Sequence, residues 1–333
     1  MIWIFPILFI IWLWFRLGFW NRQPIRHRWN IYKKGILADQ PLSNKFVVPQ
    51  VIFYDVTNLQ KENETELYDY VKEKQPSYHK KSHFMGYLKK GYVSIYKENG
   101  IRGYITSRPV NVTLDGEKIE AYSTDFLYAE SSYILKCLIQ SHEFNKHKFA
   151  PVSIFTSMTN LRWVVPITTY DIQWVYTRSF QKFKFPLKTR FVKALPTTLN
   201  DVFTCFQNSF QCQMTPSLYT LSSLIESKNV SIYSIYNPYL VAILFFKNMY
   251  ELEEDFAIVD WIGTIVVDKT DMEMLHKSIS TILYGIHKTF KIVRIHQVSN
   301  TPEYTNHYKI TTCRKYVYNY GVYSIQPNKC FFL

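Results

Sequence analysis

A chain of 333 residues is long enough for one large or two medium domains with a substantial core. Hydrophobic residues at 47% and aromatics at 17% exclude a disordered chain, and ten glycines with no G-x-G-x-x-G or Walker spacing exclude those nucleotide-binding loops. The net charge of +13 favours an anionic partner, whether nucleic acid, anionic lipid or a phosphorylated cosubstrate, and its spread along the chain argues against a nucleic-acid-binding tail.

Ile2 to Phe15 is an unbroken apolar run, interrupted by Arg16 before Leu17-Gly-Phe-Trp20. It has neither the leading basic residues nor the small-residue cleavage site of a signal peptide. Spanning a bilayer takes about 20 apolar residues. The run reaches that length if Arg16 snorkels and the following residues are counted. Arg22, Arg26, Arg28, Lys33 and Lys34 behind it put the C-terminal side in the cytoplasm. The expectation is a membrane anchor over residues 1–18, with membrane contact through 1–20. A buried N-terminal helix is the plainer reading of the same residues.

An extended arm punctuated by Pro24, Pro41 and Pro49 fills residues 21–50. The stretch 61–75 places Leu67, Tyr68 and Val71 on one face and predicts a helix. Tyr92–Tyr96 and Ile101–Ser107 alternate around Glu98-Asn99-Gly100, a hairpin signal, and Asn111–Leu114 and Lys118–Tyr122 repeat it around Asp115-Gly116. Tyr133–Ile139 is more apolar and is expected to be a central strand, followed by the basic loop His142–Lys148 and a helix from Val152 to about Trp163. In the second half the expected order is a helix at Thr198–Phe210 and strands at Val230–Ile235 and Tyr239–Phe246. After these come a strand at Asp260–Val267, a helix at Met272–Thr289, a strand at Ile292–Val298 and the terminal strand. Two rounds of this order predict a duplicated α/β architecture, with halves at 19–190 and 191–333.

Two places could carry chemistry. A basic loop before a helix that opens at Pro151 would offer free amides, a helix dipole and the charges of Lys146, His147 and Lys148 to an anion. A solvated basic turn is the plainer alternative. The last eighteen residues run from Tyr316-Val-Tyr-Asn-Tyr320 to an apolar Cys330-Phe-Phe-Leu333. Apolar chain ends are drawn into the fold, and a carboxylate in an apolar pocket becomes a usable proton acceptor near neutral pH. A last edge strand without chemistry is the alternative. The five cysteines, at 137, 205, 212, 313 and 330, form no C-x-x-C pair, which supports neither a metal site nor a disulfide framework.

Five segments together resemble eukaryotic N-myristoyltransferases, in family order. They are Phe19-Trp-Asn-Arg-Gln-Pro24, Gly103-Tyr-Ile-Thr-Ser-Arg-Pro-Val-Asn111, Asn145-Lys-His-Lys-Phe-Ala-Pro-Val-Ser-Ile154, Gln173-Trp-Val-Tyr-Thr177 and the terminal Tyr-x-Tyr-Asn-Tyr. The resemblance implies a duplicated GNAT-like acyl-CoA N-acyltransferase fold, a mixed α/β sheet flanked by helices. It implies transfer of a myristoyl group from myristoyl-CoA, a cosubstrate rather than a permanently bound cofactor, to the N-terminal glycine amine of a peptide or protein. Leu333 would supply the base, and Thr177 would position the amine. Phe19 and Trp20 would meet the acyl-CoA, and the stretch Asn145, Lys146, His147, Lys148, Phe149 and Ala150 would grip the CoA phosphates. Counting back from Lys148 puts the oxyanion-hole amides at Cys137 and Leu138, with Asp125-Phe-Leu127 as the second placement.

The resemblance further implies a monomer with no nucleic-acid partner, whereas membrane association facing the cytoplasm is expected from the N-terminal apolar run and departs from the family pattern. The family's Arg-Tyr-Trp-His-Arg-Ser segment and its Gly-Asp-Gly turn have no counterpart here. An inactive, N-myristoyltransferase-like binding or scaffold protein is therefore the alternative function. A basic, aromatic nucleic-acid binder is permitted by charge but supported by no stacking motif.

Overall fold

The computed structural model describes residues 18–29, 34–75, 81–205, 210–253 and 255–333. The expected anchor, Gly18 apart, lies outside these residues. No helix among the described residues is long and apolar enough to cross a membrane.

In chain order the elements are β1 (Gly35–Ile36), β2 (Val51–Asp55), α1 (Lys61–Lys74), α2 (Lys81–Tyr87), β3 (Tyr92–Lys97), β4 (Ile101–Leu114), β5 (Glu117–Ala129) and α3 (Ser132–Lys146). Then come β6 (Val152–Ser157), β7 (Thr168–Tyr176), β8 (Arg190–Lys193), α4 (Leu199–Thr204), β9 (Cys212–Thr215), α5 (Leu218–Glu226), β10 (Val230–Tyr236) and β11 (Leu240–Glu253). The last are β12 (Phe256–Val266), α6 (Met272–Ile286), β13 (Ile292–His296), β14 (Lys309–Tyr318), β15 (Tyr320–Gly321) and β16 (Cys330–Phe332).

Turn chemistry sets the hairpins. Asn99 and Gly100 carry φ of +57° and +117°, and Asp115 and Gly116 carry +51° and +83°. Both pairs meet the requirement of tight hairpins for two consecutive left-handed residues. Helix α6 buries Leu275, Ile279, Ile282 and Leu283 at helical spacing and is capped by Asp271, whose carboxylate accepts the Met274 amide at 2.8 Å.

A 14-stranded sheet runs β16-β9-β4-β5-β6-β14-β7-β13-β12-β11-β10-β8, with β2 and β3 attached at β4. Its centre is a strand exchange. Helix α3 carries the chain from β5 to a parallel β6, and α6 carries it from β12 to a parallel β13. The next strand of each half then crosses to the other half, so that β14 pairs β6 and β7 pairs β13. The two βαβ units are thereby related across the β14/β7 pair, and the sheet is continuous through both halves.

Two expected elements change type. Ser132–Lys146 is one helix, not a strand and a loop. Ile134, Cys137, Leu138, Ser141 and His142 are buried, the i, i+3, i+4, i+7, i+8 stripe of a helix, and the Ser131 hydroxyl caps it by accepting the Ile134 amide at 3.2 Å. Gly103 allows α3 to pack on β4, because a Cβ there would lie 2.8 Å from the Tyr128 oxygen and 2.9 Å from Leu138. The expected helix from Val152 is instead β6, ending at Ser157. Its alternating Val152-Ser-Ile suits a strand fed by the α3 crossover.

Candidate active site

The chain end is sewn into the sheet. β16 pairs with β9 in parallel register, the Leu333 amide donates to the Met214 carbonyl at 3.0 Å, and Leu333 is 6% exposed. The neighbouring stretch of β4 explains why the end lies there. β3 covers β4 as far as Ser107 and β9 takes over at Asn111, which leaves a gap at Arg108-Pro-Val110. Proline, with no amide to donate, fits a strand edge of this kind. Arg108 fills the gap: its Nη2 reaches the Leu333 oxygen at 3.4 Å and its Nε lies 2.8 Å from Oδ2 of Asp125.

Leu333 and Arg108 line a cavity of about 490 Å³, a size typical of small-ligand sites. Its apolar wall includes Trp20, Ile105, Leu135, Ile139, Phe155 and Ile172. Its polar wall brings together Asp125, Lys247, Asp260, Arg294, His296 and Lys315. Asp260 on β12 is bonded by Arg294 and, at 3.2 Å, by His296, and Arg294 also donates to Glu251 at 2.7 Å. Burial alone would raise the Asp260 carboxyl, but Arg294 and His296 outweigh it and hold it at about 2. Burial pushes the Lys315 ammonium down to about 8, helped by the like charges of Lys247 and Arg108.

The first and last segments of the resemblance meet here. Trp20 stacks on Phe155 at 5.2 Å, and Phe155 stacks on Tyr316 at 5.3 Å. The Tyr318 hydroxyl donates to Gln23, and the Asn319 amide donates to the Pro24 carbonyl at 2.5 Å. Asn319, at φ +58°, clamps the arm through both backbone groups of Ala38, at 2.7 and 2.9 Å. Asparagine tolerates that left-handed backbone, which explains why it ends the strand.

A bulge faces the same cavity. Ile105 pairs with Leu127 and Ser107 with Thr124, so Asp125 and Phe126 together oppose the single residue Thr106. The Phe126 amide therefore donates to the Thr106 hydroxyl, at 3.1 Å, in place of a ladder carbonyl.

The placement of the expected site residues differs from the sequence reading at Cys137 and Leu138, at Thr177 and at the basic stretch. Cys137 and Leu138 lie within α3, where helix hydrogen bonds take their amides, so neither can serve as an oxyanion donor. Burial also pushes the Cys137 thiol up, away from a nucleophilic thiolate. Thr177 is fully buried away from the cavity, its hydroxyl held by His287 and the Phe290 carbonyl at 2.8 Å each, so it is not free to position an amine there. The basic stretch trails the C-terminus of α3 rather than leading into a helix: Lys146 is 0% exposed and paired with Glu143 at 3.0 Å and Ser153 at 2.5 Å.

Of the rest of that stretch, Asn145 donates to the Ser141 carbonyl, His147 contacts the Asp39 carbonyl, Lys148 lies over the Phe149 ring and Ala150 is buried. None of them lines the cavity. Phe19 packs edge-on against Trp20, and Trp20 does line it. The sequence reading missed Arg108, Lys247 and Lys315; only Arg108 had a signal, a proline beside it inside a strand pattern.

No family model matches the sequence, and no curated protein matches it by sequence. Solved structures do match, and they define an acyltransferase fold. A probable N-acyltransferase of unknown function from Enterococcus faecalis is 9% identical and superposes with a TM-score of 0.53 over 80% of this chain and 72% of that one. Saccharomyces cerevisiae N-myristoyltransferase with bound myristoyl-CoA superposes with a TM-score of 0.68 at 13% identity, over 93% of this chain and 89% of that one. The same yeast enzyme with myristoyl-CoA and inhibitors gives 0.66 at 13%, over 94% and 93%. The chain has the N-myristoyltransferase fold in a divergent sequence.

Proposed function

We propose that this protein transfers a tetradecanoyl group from myristoyl-CoA to the amine of an N-terminal glycine, with the Leu333 carboxylate as base. The observation that carries the reading is the chain end itself, Leu333, held on the outer edge of β9 and lining the same cavity as the bulge residues Asp125 and Phe126.

In the proposed reaction the thioester carbonyl lies against the bulge, and its oxygen takes the Phe126 amide from the Thr106 hydroxyl. Leu127 supplies the second amide. This is the second of the two placements weighed from the sequence, and it is the one on the cavity wall. The acceptor, an ammonium with a pKa of about 8, gives a proton to the Leu333 carboxylate, and the freed amine nitrogen attacks the carbonyl carbon. The tetrahedral oxyanion is held by the bulge amides until the C–S bond breaks. CoA leaves as thiolate and takes the proton that the attacking nitrogen sheds, and the product is a neutral amide.

The acyl chain gains about 0.8 kcal/mol for each methylene buried against the apolar wall. The CoA phosphates meet the first turn of α3, where Tyr133 packs near Phe46 and the ammoniums of Lys45 and Lys136 lie over the Phe46 ring. We propose further that residues 1–18 anchor the protein in a membrane, with the rest of the chain facing the cytoplasm. Release of full-length protein by alkaline carbonate would overturn that part.

The test is transfer from myristoyl-CoA to a glycine-initiated peptide by three proteins: intact, lacking Phe332-Leu333, and extended beyond Leu333. Turnover by the intact protein and its loss in the other two is expected. Binding of myristoyl-CoA without turnover by the intact protein would leave a binding protein with this fold.

A further inference from the structure

The cavity end that holds the Leu333 carboxylate is richer in cations than an amine acceptor alone would favour. Arg108, Lys247 and Lys315 all line it. Lys247 lies over the Tyr87 ring at 4.8 Å, with the Arg108 guanidinium 5.8 Å from the same ring. Lys315 donates to the Thr156 hydroxyl at 2.7 Å and lies 5.1 Å from the Phe332 ring.

The nearby carboxylates are already engaged. Asp125 faces Arg108, and Asp260, the cross-strand neighbour of Lys247, is held by Arg294 and His296. Among the described residues, neither Lys247 nor Lys315 has a carboxylate at ion-pair distance. Two buried polar groups at this end also lack a hydrogen-bond partner: Nη1 of Arg108, a residue 3% exposed, and the hydroxyl of Tyr87, a residue 2% exposed. Buried donors without partners are rare in folded proteins, and here they border an open space lined by spare positive charge.

We propose that this end of the cavity is a carboxylate-binding subsite, so that the acceptor is a glycine amine carrying a carboxylate close by. The inference rests on the transferase reading above. Two sources share that chemistry: the α-carboxylate of free glycine, and an acidic side chain directly after an N-terminal glycine. Nη1 of Arg108 and the Tyr87 hydroxyl would donate to the carboxylate oxygens, with the two ammoniums as point charges. The atoms of the transfer are unchanged: the C–N bond forms, the C–S bond breaks, the amine proton passes to Leu333, and the acceptor carboxylate keeps its charge throughout.

The experiment has two arms on the full chain. In the first, CoA release from myristoyl-CoA is followed with glycine against glycinamide, and with a Gly-Asp peptide amide against its Gly-Asn counterpart. A preference of about tenfold or more in kcat/KM for a carboxylate-bearing member of either pair supports the subsite, and the pair that shows it identifies the source. The second arm needs no turnover. Calorimetry compares N-tetradecanoylglycine with N-tetradecanoylglycinamide on the intact protein and on Lys247→Met and Lys315→Met. Tighter binding of the acid, by about tenfold, and a narrower gap in both variants are expected. Equal binding of acid and amide would overturn the subsite even if transfer occurs. A preference for the acid with no CoA release to any acceptor would keep the subsite and remove the transferase reading.

Discussion

Arg108 and Leu333 are 225 residues apart in sequence and meet at 3.4 Å, guanidinium to chain end. The contact depends on the gap between β3 and β9 on the edge of β4, and Arg108 also holds Asp125 at 2.8 Å. One side chain thus ties the terminal carboxylate to the bulged strand on which the proposed oxyanion donors lie.

Arg108→Met should cost about 3–5 kcal/mol of stability, because it leaves Asp125 charged, buried and unpaired. Adding Asp125→Asn to the same protein should recover much of that loss. Urea unfolding of the two variants checks this; equal stability of the single and double variants would contradict it.

Thr106→Val removes the acceptor of the Phe126 amide. The unliganded protein should lose about 1 kcal/mol with that hydrogen bond. Because the thioester oxygen then has no Thr106 hydroxyl to displace, myristoyl-CoA should raise the Tm of the variant by more than that of the parent. A smaller ligand-induced rise would place the thioester elsewhere.

Asp260 is held at about 2 against an ordinary 3.8. A depressed carboxyl contributes stability above its unfolded value and loses it as pH falls through its folded value. Unfolding free energy should therefore fall between pH 4 and pH 2 by more in the parent than in Asp260→Asn. At neutral pH the variant should be less stable by about 3 kcal/mol, since Arg294 keeps only Glu251.

Lys315, with its ammonium at about 8, makes the proposed carboxylate subsite pH-dependent. Its positive charge is present below pH 8 and lost above it. Affinity for N-tetradecanoylglycine, whose carboxylate stays charged across this range, should weaken as pH rises from 7 to 9. Lys315→Arg should flatten that dependence, because a guanidinium does not titrate there. Calorimetry at several pH values is the measurement.

Elements that carry their own punctuation were legible in the sequence. The hairpins at Asn99-Gly100 and Asp115-Gly116, the helix expected over 61–75 and strands β10 to β13 followed from turn residues and periodicity, whereas β8, β9 and α5 were not expected. Tyr133–Lys146 did not, because its first seven residues are apolar enough for a strand. Only the full stripe from Ile134 to His142, with the Ser131 cap, shows the helix period. That misreading displaced the basic stretch from the start of a helix to the end of one. It also moved the expected oxyanion donors into a helix interior.

The five-segment resemblance fared better on fold than on roles. Trp20, Tyr318 and Leu333 come together at the cavity, whereas Thr177 is spent on holding His287 and Phe290. The spare cations could not have been read from the sequence. Lys247 and Lys315 lie on different strands, and only the exchange of β14 and β7 brings both halves to one cavity.

The central claim is that the Leu333 carboxylate takes the acceptor proton. Its most direct test is the turnover number of a semisynthetic protein in which the Leu333 carboxylate is a carboxamide, with shape and packing kept and the base removed. Loss of a positioned general base costs about 100-fold or more. The account expects that loss with myristoyl-CoA affinity unchanged; turnover equal to that of the parent would contradict it.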